Sequence, residues 1–473
     1  MRRLSILLSF ASLMLLTGIA TAEPPDPRFG AVEAFLAPEQ ATAIRIGWER
    51  IFISWERIQP GGGWAWNSAA VLPDGIAERE RAAGRELVGL LINTPGWAGD
   101  GHTPRAVPHG LFLPFDHPDN LWGRFVARIV AQYRGRIDHW IIWNEPDVWD
   151  PDHPGYTWKG SEADFAQLLK IAYLAAKTAN PQATVHLPGL TYWWDYVSGR
   201  IPYLLRLLDA LAADPDASAH GFFFDVATVH AYFKPDQVYD LVQFPRQALH
   251  RHGLDKPVWI NETNAPPIDD PAALVDGQPF PLTMDEQAAY VIQALAMGLA
   301  GGADRIAIYK MVDIPALPPN AEPYGLVRHD GSLRPAFAAY RAAIASFAGT
   351  RSATLHRWGL ATAVVLDRGP QTTTVLWNRS PQDLRVVVRA SATGGQLVDQ
   401  AGQQTGIKAA GGLYYLTLPG TTCSQQADCF IGGPPLMLVE DGPATAKGLV
   451  FVTWARTPSS SPPARSRFRQ PLE

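Results

Sequence analysis

The chain has 473 residues, 47% of them hydrophobic and 18% charged, with a formal net charge of -5. It is too long for one average domain and apolar enough for a large core. No dense Lys/Arg run occurs, which argues against a nucleic-acid partner. The 16 Trp are a surplus, and such a surplus marks flat binding surfaces as well as core.

The chain opens with Arg2 and Arg3, then a mostly apolar run from Leu4 to Ile19, then Ala20-Thr21-Ala22. A basic start, a short apolar segment and a small-x-small site together read as a secretory signal peptide over residues 1–22. The run is short for a membrane span and no stop-transfer pattern follows, so no stable membrane anchor is expected. The expected location is secreted or periplasmic. The two cysteines, Cys423 and Cys429, stand in TTCSQQADCF. In an exported chain that spacing predicts a small disulfide, and two cysteines are too few for a structural zinc site.

Eight compact apolar runs predict strands over Phe29–Phe35, Arg50–Ser54, Leu87–Asn93, Ile137–Asn144, Thr184–Leu190, Phe223–Ala231, Val258–Glu262 and Arg305–Met311. Continuous rather than alternating apolar runs suit parallel strands covered on both faces. Helical patterns lie between them. DNLWGRFVARIVAQYRG has Asp119 as cap and Gly135 as terminator. SEADFAQLLKIAYLAAKTANP has Ser161 as cap, Asp164 three residues on, and Asn180-Pro181 as its stop. TMDEQAAYVIQALAMGLAGG is a third. Strands alternating with helices predict an α/β chain, a (β/α)8 TIM barrel over residues 23–346. A doubly wound open sheet is the alternative, but no Gly-x-Gly-x-x-Gly follows the first strand. From 347 to 457, short runs such as ATAVVLDR, TTTVLWNRS, DLRVVVRAS, LYYLTLPG and PLMLVED predict an antiparallel β-sandwich. Residues 458–473 read as a disordered tail.

In such a barrel, sites form where strands reach their C-terminal ends. The fourth strand ends on Asn144-Glu145 and the seventh on Asn261-Glu262. The sixth ends with His230 and Tyr232. The second carries Arg50 and ends on Trp55, and the third runs into Asn93-Thr94-Pro95-Gly96-Trp97. A single Glu at a strand end is usually a solvated or salt-bridged loop residue. Two of them, each preceded by Asn and each after a Trp-containing apolar run, argue for paired carboxylate chemistry at an acetal carbon. A separation of ~5–5.5 Å would let one act as nucleophile, and ~6.5–9.5 Å would admit a water instead. The nucleophile must stay ionised, with Arg50 as cation and Tyr232 as donor, while the acid needs a raised pKa. No metal or other cofactor is expected, because no His/Asp cluster stands at metal spacing and DPDHPGY and DHPDN read as turns.

Trp143-Asn144-Glu145-Pro146 resembles the Asn-Glu-Pro signature of the retaining glycoside hydrolases of clan A. FVARIVAQYRGRIDHWIIWNEPD, RIFISWERIQPGGGWAW and LLINTPGWA are similar to the segments around it. Residues 28–330 look most like family 39, the β-xylosidase and exopolysaccharide hydrolase type, with family 5 second. The resemblance implies a secreted enzyme that cleaves β-glycosidic bonds of a poly- or oligosaccharide. It implies Glu145 as acid/base, Glu262 as nucleophile and Asn144 as partner of the sugar 2-hydroxyl, with Arg50, His230 and Tyr232 in support.

Two departures stand out. The last strand offers Tyr309 and Lys310 where this clan commonly brings a Trp platform, and Lys310 reads as an ordinary loop lysine. The second glutamate lies in Ile-Asn-Glu-Thr-Asn, so Asn261 and Asn264 add candidate sugar contacts. Stacking faces could come from Trp55, Trp97, Trp149, Trp158 and one of Trp193 and Trp194, with Tyr309; Trp66 and Trp259 read as packing. The expected partner is a carbohydrate substrate, and the expected state a monomer or weak oligomer. The competing readings are a catalytically silent glycan-binding barrel, a family 5-like endoglucanase and a metal-dependent hydrolase.

Overall fold

The computed structural model describes residues 24–62, 65–73, 75–273, 280, 282–314, 322–422, 430–444 and 449–454. The expected signal peptide, the Cys423–Cys429 disulfide and the C-terminal tail lie outside the described residues.

Eight parallel strands form the first sheet: β1 (Phe29–Val32), β2 (Trp48–Ser54), β3 (Glu86–Ile92), β4 (His139–Ile142), β5 (Thr184–His186), β6 (Ala227–Tyr232), β7 (Val258–Asn264) and β8 (Arg305–Ile308). Their order is β5-β4-β3-β2-β1-β8-β7-β6. Parallel bridges from His186 to Val226 and from Leu190 to Val229 join the two ends. The sheet is therefore a (β/α)8 barrel, and each predicted strand lies in it. Burial on both faces explains why the runs are continuous. Trp48, Val88, Leu90, Ile141, Val226, Trp259 and Ala307 pack inside the barrel. The intervening residues, such as Ile51, Ile53, Trp140, Ile142 and Ile260, pack outward against helices.

The helices start where capping chemistry allows. Ser161 and Asp164 form a reciprocal capping box at Glu162–Ala179, and Thr283 and Glu286 form another at Met284–Gly301. For Leu121–Tyr133 the cap is Asn120, not Asp119: the Asn120 side chain accepts from the Gly123 backbone N–H. Among the described residues, no helix is long and apolar enough to cross a membrane.

Beyond the helix Pro335–Phe347 the chain becomes antiparallel β. The strands are β9 (Ser352–Trp358), β10 (Ala361–Asp367), β11 (Gln371–Asn378), β12 (Leu384–Arg389), β13 (Gly394–Val398), β14 (Gln404–Lys408), β15 (Leu413–Leu418), β16 (Leu436–Asp441) and β17 (Leu449–Trp454). One sheet runs β14-β13-β16-β11-β10-β9 and the other β15-β12-β17. Ala363, Leu376, Val386, Val388, Tyr414 and Leu438 fill the space between them. The sandwich is fastened to the barrel through Met284–Gly301. The Gln293 side chain donates to the carbonyls of Gly432 and Gly433 and accepts from the Gly432 N–H. This double coverage accounts for a helix that is buried almost all round.

Candidate active site

Three strands deliver the central carboxylates and imidazole, and each does so by a different local device. On β6 the alternation is regular. Ala227, Val229 and Ala231 face the helices, so Thr228, His230 and Tyr232 face inward. On β7 the alternation is broken. Trp259 faces inward and Ile260 outward, which would turn Glu262 away from the mouth. The pairing slips instead: Val229 opposes Ile260 but His230 opposes Glu262, and against β8 the ladder skips from Ile260 to Thr263. This β-bulge absorbs Asn261 and re-aims Glu262 into the barrel mouth.

After β4 the device is backbone strain. Trp143 and Glu145 both have left-handed φ, 71° and 45°. Each such residue costs ~1–3 kcal/mol and persists only where its surroundings over-determine it. Here the Trp143 N–H donates to the Leu91 carbonyl at 2.9 Å and the Glu145 N–H to the Gly189 carbonyl at 3.1 Å. The Trp143 indole donates to the Thr157 carbonyl at 3.1 Å, and the Thr157 hydroxyl donates to the Asn144 carbonyl. Asp147, two residues on, is fully buried and accepts from Thr191 N–H and hydroxyl and from Tyr192 N–H at 2.8–2.9 Å.

These devices bring Arg50, Glu145, His230, Tyr232 and Glu262 together. Arg50 Nη1 lies 2.5 Å from Glu262 Oε1. The Tyr232 hydroxyl donates to Glu262 Oε2. His230 Nδ1 lies 2.6 Å from Glu145 Oε1 and 3.4 Å from Glu262 Oε2, so a proton on Nδ1 is shared toward both carboxylates. The imidazole fits only because position 189 is glycine: a Cβ there would lie 2.0 Å from His230 Nε2. One oxygen of each carboxylate and a His230 nitrogen all lie within 4.8 Å of one another. By donor type this trio would also suit a cation; here Arg50 and His230 provide the counter-charge.

The electrostatics follow from burial and partners. Burial alone would push the Glu262 carboxyl up, but Arg50, His230 and Tyr232 overcome it and hold the group below the usual carboxylate range. His230 is shifted upward, since Glu262 and Glu145 outweigh its burial and the repulsion of Arg50. Burial and Glu262 keep Tyr232 well above its ordinary value, so it remains a donor. Asp147 is raised to about 6, by burial first and by Glu145 second.

The remaining candidates divide. Asn144 is half-buried, and among the described residues its amide oxygen, itself buried, has no hydrogen-bond partner. Tyr309 is half-buried and sits edge-on to Tyr232 and Tyr324, with ring centroids 6.2 and 5.5 Å away. Tyr324 and its neighbour Glu322, which accepts from the Tyr309 hydroxyl at 2.5 Å, complete this wall around Glu262. No sequence signal pointed to either. Trp149 is exposed at the rim, and Trp97 is half-buried with its indole donating to the Gln59 carbonyl.

Several expectations need correcting. Trp55 is fully buried among Trp97, Trp122 and Phe125 and offers no face to a ligand. Trp158 is buried against Trp143 and Phe165. Lys310 lies in the loop after β8 but is no ordinary solvated lysine: it is 3% exposed and ion-paired with Glu33 at 2.6 Å. Asn264 is buried and ties β7 to the last barrel loop by donating to the Tyr309 and Tyr324 carbonyls, both at 2.7 Å. Asn261 is wholly buried within the bulge.

The fold has counterparts among solved structures. The chain shares its fold with known glycoside hydrolases. A family 39 glycoside hydrolase from Bacteroides cellulosilyticus superposes with a TM-score of 0.65 at 16% identity, covering 88% of this chain and 81% of that one. A family 39 enzyme from Xanthomonas axonopodis pv. citri gives 0.53 at 12% identity, with 90% and 96% covered. A GH30 endoxylanase from Clostridium papyrosolvens gives 0.55 at 13% identity, with 88% and 97% covered. No protein-family model matches the sequence, and no curated protein matches it.

Proposed function

We propose that this chain is a secreted glycoside hydrolase that cleaves β-linked glycans by double displacement. The observation that carries the reading is the asymmetry of one close carboxylate pair. Among the described residues, the Glu262 side chain holds Arg50, Tyr232 and His230, whereas that of Glu145 holds His230 and lies nearer the surface. The nearest oxygens of the two carboxylates lie within 4.8 Å of one another, a close approach that favours direct attack by Glu262 on a sugar held between them. The shared fold with family 39 and family 30 glycoside hydrolases supports the same reading.

In the first step a Glu262 oxygen attacks the anomeric carbon while Glu145 gives its proton to the departing glycosidic oxygen. The C–O bond breaks, the leaving sugar departs as an alcohol, and the retained sugar is an ester of Glu262. In the second step Glu145 takes a proton from water, the hydroxide attacks the anomeric carbon, and the ester bond breaks. Two inversions give net retention, and both glutamates return to their starting states. Arg50 and Tyr232 keep Glu262 ionised before attack. Asn144, with its unpartnered amide oxygen, is suited to a sugar hydroxyl. The signal-like N-terminus supports export toward an extracellular glycan.

The test is Glu262→Gln assayed on a panel of aryl β-glycosides. Turnover should be abolished with the fold intact, and azide should partly restore Glu262→Ala through an inverted glycosyl azide. Proton NMR of the first-formed anomer should show retention. Full activity in Glu262→Gln would sink the assignment.

A further inference from the structure

The loops after β4 and β5 carry aromatic side chains that neither the core nor the carboxylate pair uses. Among the described residues, Trp149, Trp193 and Tyr196 are three of the five aromatics among the strongly exposed large hydrophobics, at 41%, 47% and 80% exposure. The other two, Phe112 and Tyr415, belong to other segments. Exposed aromatic faces on two loops that touch one another, through Trp194 and His153, point to a binding surface.

The faces are held, not loose. Asp147 ties Thr191 and Tyr192 of the β5 loop to the strained turn that carries Glu145. Asp195, 1% exposed, accepts from the Tyr203 N–H at 2.6 Å and from Arg206 at 3.0 Å, which fixes the turn Trp193–Val197. Trp194 meets His153 of the β4 loop at 4.5 Å, and the Arg200 guanidinium lies 5.1 Å from the Trp149 ring centre. Arg200 lies over one face of that ring. Buried and hydrogen-bonded, Asp147 and Asp195 hold both loops in place, as a pre-organised binding surface requires.

We propose that these loops form the subsites for the leaving-group side of an oligomeric β-glycan. The inference rests on the glycosidase reading above and extends it to chain length. An acid at Glu145 must touch the glycosidic oxygen, so the departing sugars lie on the Glu145 side of the cleavage point. The turn that holds Glu145 runs on directly to Trp149, closed by the Val148 N–H donating to the Glu145 carbonyl at 3.2 Å. The sugar that becomes bound to Glu262 is walled by Tyr232, Tyr309 and Tyr324 instead. Pyranose rings present flat C–H faces that stack on aromatic rings, and the nearby Arg200 and His153 suit the hydroxyl edges. The preferred substrate is therefore a chain with several sugars beyond the cleaved bond, and an aryl glycoside or disaccharide, which leaves most of those subsites empty, is turned over more slowly.

The experiment compares the parent enzyme with the triple variant Trp149→Ala, Trp193→Ala, Tyr196→Ala. Both are given a dimer-to-hexamer series of β-1,4-xylo-oligosaccharides, or the same series of whichever sugar the aryl panel identifies. For the parent, kcat/KM should climb with chain length. For the variant, with its thermal unfolding unaltered, the climb should shrink by about tenfold at the hexamer. Binding of the hexamer to Glu262→Gln, followed by titration calorimetry with and without the triple substitution, should weaken by a similar factor. A parent that hydrolyses no member of the series or panel refutes the glycosidase reading itself. A parent that is active, with a climb that the triple variant reproduces, overturns the platform alone.

Discussion

Glu49 and Arg50 are neighbours on β2 and face opposite sides of the barrel wall. Arg50 points into the mouth and holds Glu262 below the usual carboxylate range. Glu49 points outward beneath the helix Ile76–Ala82 and is pushed up to about 8, by burial first and then by the adjacent Glu80. Both carboxylates are almost completely buried, at 6% and 0% exposure. Burial raises each, so burial does not distinguish them. The difference lies in which carboxylate receives the guanidinium. In the mouth Arg50 goes to Glu262. In the wall Arg79 and Arg85 both go to Glu80, at 2.7 and 2.5 Å, and Glu49 has the Phe35 N–H and a hydrogen bond with Glu80, with only the more distant pull of Arg85. One strand thus carries one carboxylate environment suited to a nucleophile and another suited to a neutral acid.

The sharpest way to break this contrast is Arg50→Met, which makes Glu262 resemble Glu49. Removing one partner of a buried pair strands the other charge, at a cost of about 3–5 kcal/mol. With Arg50 gone, burial dominates and the Glu262 pKa rises. Activity needs Glu262 ionised, so the acid limb of kcat/KM should move to higher pH. Stability should move too. A depressed carboxylate contributes stability above its unfolded pKa and loses it as pH falls through the folded pKa, and the variant should lack that contribution. Thermal unfolding and pH–rate profiles check both, and an unmoved acid limb would count against Arg50 as the partner that matters.

A smaller effect is expected from Gly189→Ala. The new methyl would meet His230 Nε2 at 2.0 Å and Cδ2 at 2.3 Å, so the imidazole must leave its place between the two glutamates. Overpacking of this kind costs about 1–3 kcal/mol. Displacing a positioning group by about an ångström lowers the rate by about 100-fold. Turnover on the best aryl glycoside should fall by that order, while a thermal scan shows only a modest loss. A variant with parent kinetics would show that His230 has room to spare and positions nothing.

The two sides of β2 also differ in how legible they were. The eight strands were readable because parallel strands buried on both faces make unbroken apolar runs. Glu145 and Glu262 were readable as residues at strand ends, and Arg50 as a cation within such a run. What re-aims them was hidden. The bulge at Asn261 depends on how β7 registers with β6 and β8, and the left-handed Trp143 and Glu145 depend on bonds from β3 and the β5 loop. Trp55 and Trp158 looked like rim aromatics because they follow strands, yet neighbouring Trp and Phe rings bury them. Lys310 looked solvated because its partner, Glu33, lies far off in sequence. In the sandwich, β14 went unseen because its QTGIK is almost wholly exposed and carries no apolar alternation.

The finest test turns the wall side of the comparison into a measurement. Glu49→Gln keeps the shape, and the Phe35 N–H can still donate to the amide oxygen. In the parent, Glu49 binds its proton up to about pH 8 when folded, but gives it up near the ordinary value of 4.5 when unfolded. A raised carboxyl contributes stability that is complete below the unfolded pKa and is lost as pH rises through the folded one. The glutamine has no proton to lose. Its Tm should therefore match the parent in mild acid and exceed it by a margin that grows toward pH 8. The kcat/KM profile should stay unmoved, since Glu49 faces away from the mouth. A Tm difference that is flat with pH would mean that Glu49 is ionised in the fold. Arg85, at Glu80, would then serve both wall carboxylates, as Arg50 serves Glu262.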